Sequence, residues 1–258
     1  MNKKEEEKRS PLKAPLLRYP GQSLDEEIDR VLNEDALFWF IYAAAFALYA
    51  MMEWYRWFVP FAPHPVLSSI LALVIAAFVV FRLLNARKRL AALRLGRDGE
   101  KEVGQGLEEL REKGCRVFHD LVGDGFNVDH VIISPRGVFT VETKTRMKPP
   151  RGDARVRLEE CGLTVNGHVV DRDPIEQAKS QANWIREVLR QSTGKSYRVQ
   201  SVIVFPGWFV DPMPKGFREV WVLNPKALPS FVENEPVVLP QEDVMMAAYH
   251  LSRYIGAK

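Results

Sequence analysis

Two stretches without a single charged residue, 36–52 and 65–81, limit what this chain can fold into more than any other feature. A helix on a protein surface in water keeps a polar face, and these runs are apolar all round. Each is close to the shortest span of a bilayer core, about 17 to 20 residues, and flanking residues lengthen both. Trp39, Tyr42, Trp54, Tyr55 and Trp57 suit a membrane interface, where rings with a polar edge collect. A hydrophobic hairpin buried inside a soluble protein is the competing arrangement. A cleaved signal peptide fits worse, because a long charged segment precedes the first run. The expectation is an α-helical transmembrane hairpin over 36–84.

Arg82, Arg87, Lys88, Arg89, Arg94 and Arg97 follow the second run with no acid between them. Basic flanks stay in the cytoplasm, and two spans return the chain to the side it left. The expected location is the cell (inner) membrane, with the lipid bilayer crossed twice. The N-terminus and everything beyond 84 then face the cytoplasm, and the loop at about 53–64 lies outside. Residues 1–35 read as a polar cytoplasmic leader broken by Pro11, Pro15, Pro20 and Gly21, with a short helix around 24–33. Residues 85–95 extend the second helix as a basic juxtamembrane segment, and 96–258 form the soluble domain.

That domain has ordinary globular composition, and a net charge of +3 is too small to imply nucleic acid by itself. Cys115 and Cys161 form no CxxC pair and face a reducing compartment, so both read as reduced structural thiols. The five histidines are scattered and none stands at ligand spacing from a cysteine, which argues against zinc.

The domain opens with a helix whose apolar residues Val103, Leu107 and Leu110 recur at helical spacing. Glu100 shares that stripe, three positions before Val103, which points a carboxylate into a site rather than to solvent. Strands are expected at about 115–121, 127–133, 138–144, 156–160 and 163–166. A helix then starts with Asp173 as N-cap, Pro174 in its first turn and Glu176 completing a capping box. Strands at 198–205 and 218–223 and a closing helix over 241–254 complete an α/β pattern.

The hairpin between the second and third strands carries the chemistry. Pro135 cannot take the positive φ of a two-residue type I′ or II′ turn, so a four-residue loop over 134–137 with Gly137 left-handed is expected. That loop pairs Ile133 with Val138 and, counting back, sets Asp129 opposite Glu142. Opposed residues have β-carbons about 5 Å apart, and Lys144 shares their face by alternation. Two carboxylates so close repel unless a proton or cation lies between them. A divalent ion bound by oxygen, Mg²⁺ with Mn²⁺ as substitute, is the economical answer. A surface salt bridge of Lys144 with either acid competes for one pair, though not for three groups together with Glu100. Beyond them Arg146, Lys148, Arg151, Arg155 and Arg157 face the single acid Asp153. Such a run grips phosphates or forms a solvated face.

The ordered set Gly99-Glu100, Asp129-His130, Glu142-Thr143-Lys144 and 174–177 resembles the nuclease-related domain (NERD) family of the PD-(D/E)xK nuclease-like superfamily, over about 95–205. The resemblance implies a restriction-endonuclease-like mixed sheet flanked by helices. It implies metal-binding carboxylates at Asp129 and Glu142, with the Thr143 backbone carbonyl a further ligand, and a catalytic lysine at Lys144. Glu100 would approach the metal directly or through water, and Gln177 would orient substrate or water. His130 alternates to the opposite face from Asp129, which suits a core or hydrogen-bonding role. The expected function is a membrane-anchored, Mg²⁺-dependent nuclease hydrolysing phosphodiesters of nucleic acid, DNA favoured. The alternative is a noncatalytic membrane-tethered module that binds nucleic acid or protein on the same fold.

Overall fold

The computed structural model describes residues 17–59, 65–123, 125–148, 154–159, 162–170, 173–214 and 217–256. In chain order these form α1 (Gln22–Phe58), α2 (Pro65–Glu112), β1 (Arg116–Val122), β2 (Asn127–Ser134), β3 (Gly137–Thr143), β4 (Arg155–Glu159), β5 (Gly162–Val165) and β6 (His168–Val169). There follow α3 (Pro174–Thr193), β7 (Val199–Val204), β8 (Phe209–Val210), β9 (Val220–Leu223), α4 (Leu228–Asn234) and α5 (Gln241–Gly256). Two compact units result: 23–97, and 98–258 together with the residues before 23.

The larger unit is organised by a five-stranded sheet in the order β1-β2-β3-β7-β9. The first three strands are an antiparallel meander; β7 and β9 join β3 in parallel. A parallel neighbour needs a crossover, and α3 supplies it. Its start is chemically defined: an Asp173 carboxylate oxygen accepts from the backbone N–H groups of Ile175 at 2.9 Å and Glu176 at 3.4 Å, with Pro174 opening the first turn.

Alternation along the strands sends side chains to two cores. Val131, Ile133 and Val138 pack with Ala182, Ile185 and Leu189 of α3 and with Val244, Ala247 and Leu251 of α5. Ile132, Phe139, Val141, Val202 and Val204 meet Val103, Leu107 and Leu110 of α2 and Leu228 and Val232 of α4. The result is the expected mixed sheet flanked by helices. A second sheet, β6-β5-β4-β8, packs Val156 and Leu163 against Phe205 and Trp208.

The β2–β3 register is the expected one, with Ile133 opposite Val138 and the ladder running back to His130 opposite Val141. The loop is shorter than the four residues expected, because Ser134 also pairs with Gly137, leaving Pro135 and Arg136 as the turn. Neither turn residue has positive φ; Gly137 takes the unusual angle instead, at φ 130°. Ser134 Oγ accepts the Arg136 N–H at 3.2 Å, which tightens the corner.

Two further differences concern the helices. The short helix expected at 24–33 and the first apolar run form one helix, α1, and the loop expected from 53 is helical to Phe58. Likewise the second apolar run, the basic segment and the domain's opening helix form one helix, α2. Most of the intervening residues are strong helix formers, and Gly96 and Gly99 cost only about 1 kcal/mol each, with no proline in 85–99 to stop the helix. Within the smaller unit Arg89 pairs with Glu27 at 2.6 Å and Arg97 with Asp25 at 3.2 Å, so the two helices run in opposite senses there. The apolar part of α2 is long and apolar enough to cross a membrane by length and composition, with a mean hydropathy of 2.3 over 18 residues.

The Asp173 cap generates a direct test. Replacing it by alanine leaves two N–H groups at the start of α3 without a partner, which costs about 1 kcal/mol. D173A is expected to lower the urea midpoint of the larger unit with an unchanged denaturant slope.

Candidate active site

The site forms where β2 and β3 part. Their ladder stops at His130 and Val141. The next inward-facing donor on β3, the Thr143 N–H, reaches the Asp129 carboxylate at 2.7 Å instead of the β2 backbone. Asp129 therefore fills the gap between the separating strands. One residue earlier on β3, Glu142 is 4% exposed.

A buried carboxylate needs donors, and Glu142 has three. Lys144 Nζ donates to its Oε1 at 2.6 Å and Gln177 Nε2 to the same oxygen at 2.7 Å, while Gln181 Nε2 donates to Oε2 at 2.5 Å. Lys144 Nζ also donates to Gln177 Oε1 at 2.9 Å, closing a triangle. Gln177 and Gln181 are one helical turn apart and so share the face of α3 turned to the sheet. Sequence reasoning identified Gln177 and passed over Gln181, although the four-residue spacing was the available signal.

Glu100 enters from α2, and Gly99 makes that possible. A β-carbon at Gly99 would stand 1.9 Å from Thr145 Oγ1, so only glycine lets the helix close on the chain just past Lys144. Burial, and then the negative charges of Asp120 and Glu142, push the Glu100 carboxyl up to about 8; the Gly21 backbone N–H and Lys144 work against that shift. Asp129 is also pushed well above the usual carboxylate range, first by burial and then by Glu142 and Glu100. The acids thus stand close enough to repel, as the hairpin argument expected.

Asp120 and His119 were not anticipated as neighbours, whereas His130 takes the buried, hydrogen-bonded position expected of it. Asp120 lies on β1 across from Asp129, with φ 51°, and Arg18 donates to its Oδ2 from Nε and Nη2, each at 2.8 Å. His130, on the opposite face, is fully buried; its Nδ1 lies 2.9 Å from His119 Nδ1 and its Nε2 lies 3.5 Å from Thr143 Oγ1. Burial lowers both imidazoles, His119 to about 4 with Arg111 contributing and His130 well below its usual value with His119 contributing. Both rings are neutral near pH 7, so one Nδ1–H donates to the other Nδ1.

The basic run is less uniform than its sequence. Arg146 and Lys148 are exposed, with the Arg146 carbonyl accepting from Trp208 Nε1 at 3.2 Å. Arg155 and Arg157 converge on Asp211, at 3.3 Å and 2.5 Å. Arg151, like Cys161, lies outside the described residues. Cys115 is a buried free thiol.

The acids give a pH dependence with a definite sign. Glu100 keeps its proton to about pH 8 when folded but loses it near 4.5 when unfolded. Between those values the folded chain binds more protons, so its stability falls as pH rises. In chelator, the urea midpoint is expected to drop from pH 5 to pH 8, and E100Q is expected to flatten that slope.

No curated protein and no solved structure matches the chain. Residues 95–206, which contain Glu100, Asp129, Glu142, Lys144, Gln177 and Gln181, match the family model of the nuclease-related domain (NERD), so this region is similar to a nuclease-related domain.

Proposed function

We propose that the chain is a membrane-anchored, metal-dependent nuclease, with DNA its favoured substrate. The observation that carries this reading is the Lys144–Glu142–Gln177 triangle beside two carboxyls, Asp129 and Glu100, that burial and mutual repulsion hold above the usual carboxylate range. Such crowding of acids calls for a cation. The donors available are oxygens, which suits Mg²⁺ or Mn²⁺. Among the described residues no three His, Cys, Asp or Glu side chains form a ready-made metal cluster, and in the metal-free chain the Lys144 ammonium is the counterion at Glu142. Glu142 accepts three hydrogen bonds where a carboxylate has about four lone-pair sites, and Asp129 accepts the Thr143 N–H, so both keep capacity for a further partner.

Asp129 and Glu142, with the Thr143 carbonyl, would hold the ion, and Glu100 would reach it directly or through water. When bound, Mg²⁺ supplies Lewis-acid stabilisation of a phosphate and a more acidic water. Lys144 Nζ, held by Glu142 and Gln177, orients the attacking water and neutralises charge growing on the phosphate oxygens. Gln177 fixes that ammonium and can turn its amide toward substrate. Arg146 and Lys148, exposed beyond the strand end, offer positive charge to the nucleic-acid backbone. A noncatalytic binding module is favoured by one observation: Lys144 is pinned by two partners rather than free.

The anchor rests on exposure. Phe46 is 74% exposed, Leu73 70% and Trp57 80%, and an apolar surface of that extent is untenable in water. A bilayer crossed twice by 36–84, with the nuclease-like domain in the cytoplasm, accounts for it and for the basic residues that follow.

Two measurements test the two parts. K144A and K144M are expected to abolish Mg²⁺-dependent cleavage of labelled DNA while leaving DNA affinity within a few-fold, since one charge contributes little to counterion release. Binding by wild type without cleavage of any DNA or RNA substrate, unchanged in K144A, would establish the binding module. Alkaline carbonate is expected to leave the chain in the membrane pellet; its release would mean the apolar helices do not span.

A further inference from the structure

Gln181 is a buried polar side chain whose chemistry is only half used. It is 2% exposed. Its Nε2 donates to Glu142 Oε2 at 2.5 Å and to the Asn127 backbone carbonyl at 2.9 Å. Both partners are acceptors only, so the amide cannot be turned over without setting oxygen against oxygen. Its Oε1 is therefore fixed in direction, buried, and without a hydrogen-bond partner among the described residues. A buried acceptor left unpaired is unfavourable, and a native structure that keeps one has a use for it or a water to fill it.

The position of Gln181 says what that use is. Asn127 opens β2 two residues before Asp129, and Glu142 lies on β3. One amide thus joins α3 to the strand of one acid and to the carboxylate of the other, at the place where the β2–β3 ladder has ended. Gln177 holds Oε1 of Glu142 and Gln181 holds Oε2, so the carboxylate plane is clamped from both ends by glutamines one turn apart. Lys144 touches only Oε1. Among the described residues, Gln181 is the donor that restrains the other oxygen.

We propose that Gln181 is the positioning residue of the cation site: it sets the Glu142 carboxylate and offers Oε1 as acceptor to a water on the bound divalent ion. The inference rests on the nuclease reading of the same site. It assigns Gln181 no contact with the reacting phosphate, and so separates it from Gln177, whose amide also touches Lys144. Partners of this kind, one shell removed from the ion, typically change metal affinity by about 10- to 100-fold when removed.

The test uses the full chain in detergent with Mn²⁺ as the probe, followed by its electron paramagnetic resonance signal and by water-proton relaxation. Q181M keeps the length and bulk of the side chain and removes both hydrogen-bonding atoms. I185V, a methyl deletion at a fully buried position on the same helix, serves as the structural control. Q181M is expected to weaken Mn²⁺ binding about 10-fold or more and to change the relaxation of the ion's water. I185V is expected to lower apo stability with Mn²⁺ affinity unchanged. Equal Mn²⁺ affinity in Q181M and wild type overturns the inference while leaving the nuclease reading standing. Loss of affinity in I185V matching that in Q181M reduces Gln181 to a packing residue and also overturns it. Wild type that binds no Mn²⁺ overturns both.

Discussion

The buried carboxylate of Glu142 is the constraint around which the nuclease-like unit is arranged. An ionised group out of water is tolerable only when donors replace the water, and the donors come from two elements of the fold: Lys144 just beyond β3, and Gln177 and Gln181 from α3. The crossover helix must therefore lie against the end of β3, which its Asp173 cap and its Ala182, Ile185 and Leu189 contacts bring about. Replacing any one donor removes one bond but leaves the charge in place, and the cost is the penalty of that charge rather than the worth of the bond.

Against this compensated acid stand two that are not compensated. Asp129 has one backbone donor, and Glu100 has the Gly21 N–H, and burial with mutual repulsion raises both. The protein thus neutralises one carboxylate with its own lysine and leaves two others where ionisation is unfavourable, so that they hold their protons to higher pH than a free carboxyl does. The strand ends, the glycine that admits α2 and the glutamines of α3 all serve to keep these carboxyls in one place.

How far this could be read from sequence varied with the range of the interaction. The β2–β3 register followed from Pro135 and Gly137, because turn chemistry is local, and the α3 start followed from Asp173, Pro174 and Glu176 for the same reason. Strand alternation put Asp129, Glu142 and Lys144 on one face and the apolar stripe turned Glu100 toward it, whereas Gln177 followed only from the family resemblance; the structure brings Lys144 and Gln177 onto Glu142. The two-residue strands β6 and β8 and the short α4 were not legible, because their pairing is supplied by tertiary neighbours rather than by propensity. Arg155 and Arg157 read as free positive charge, yet their partner Asp211 lies more than fifty residues on. Asp120 in a left-handed conformation and its pairing with Arg18 likewise depend on contacts across 102 residues.

The parting of β2 from β3 has a consequence for how such a motif is interpreted. Asp129 accepts the Thr143 N–H that the ladder no longer serves, so it closes the sheet as well as facing the acids. Whatever the chain's activity, the sheet needs an acceptor there, and an aspartate or asparagine at 129 meets that need for architectural reasons alone. Lys144 has no such second duty to the backbone through its side chain: its ammonium bonds only to Glu142 and Gln177 among the described contacts. In domains similar to this one, the aspartate position therefore answers a demand of the sheet, and only the lysine position reports on the demands of the site.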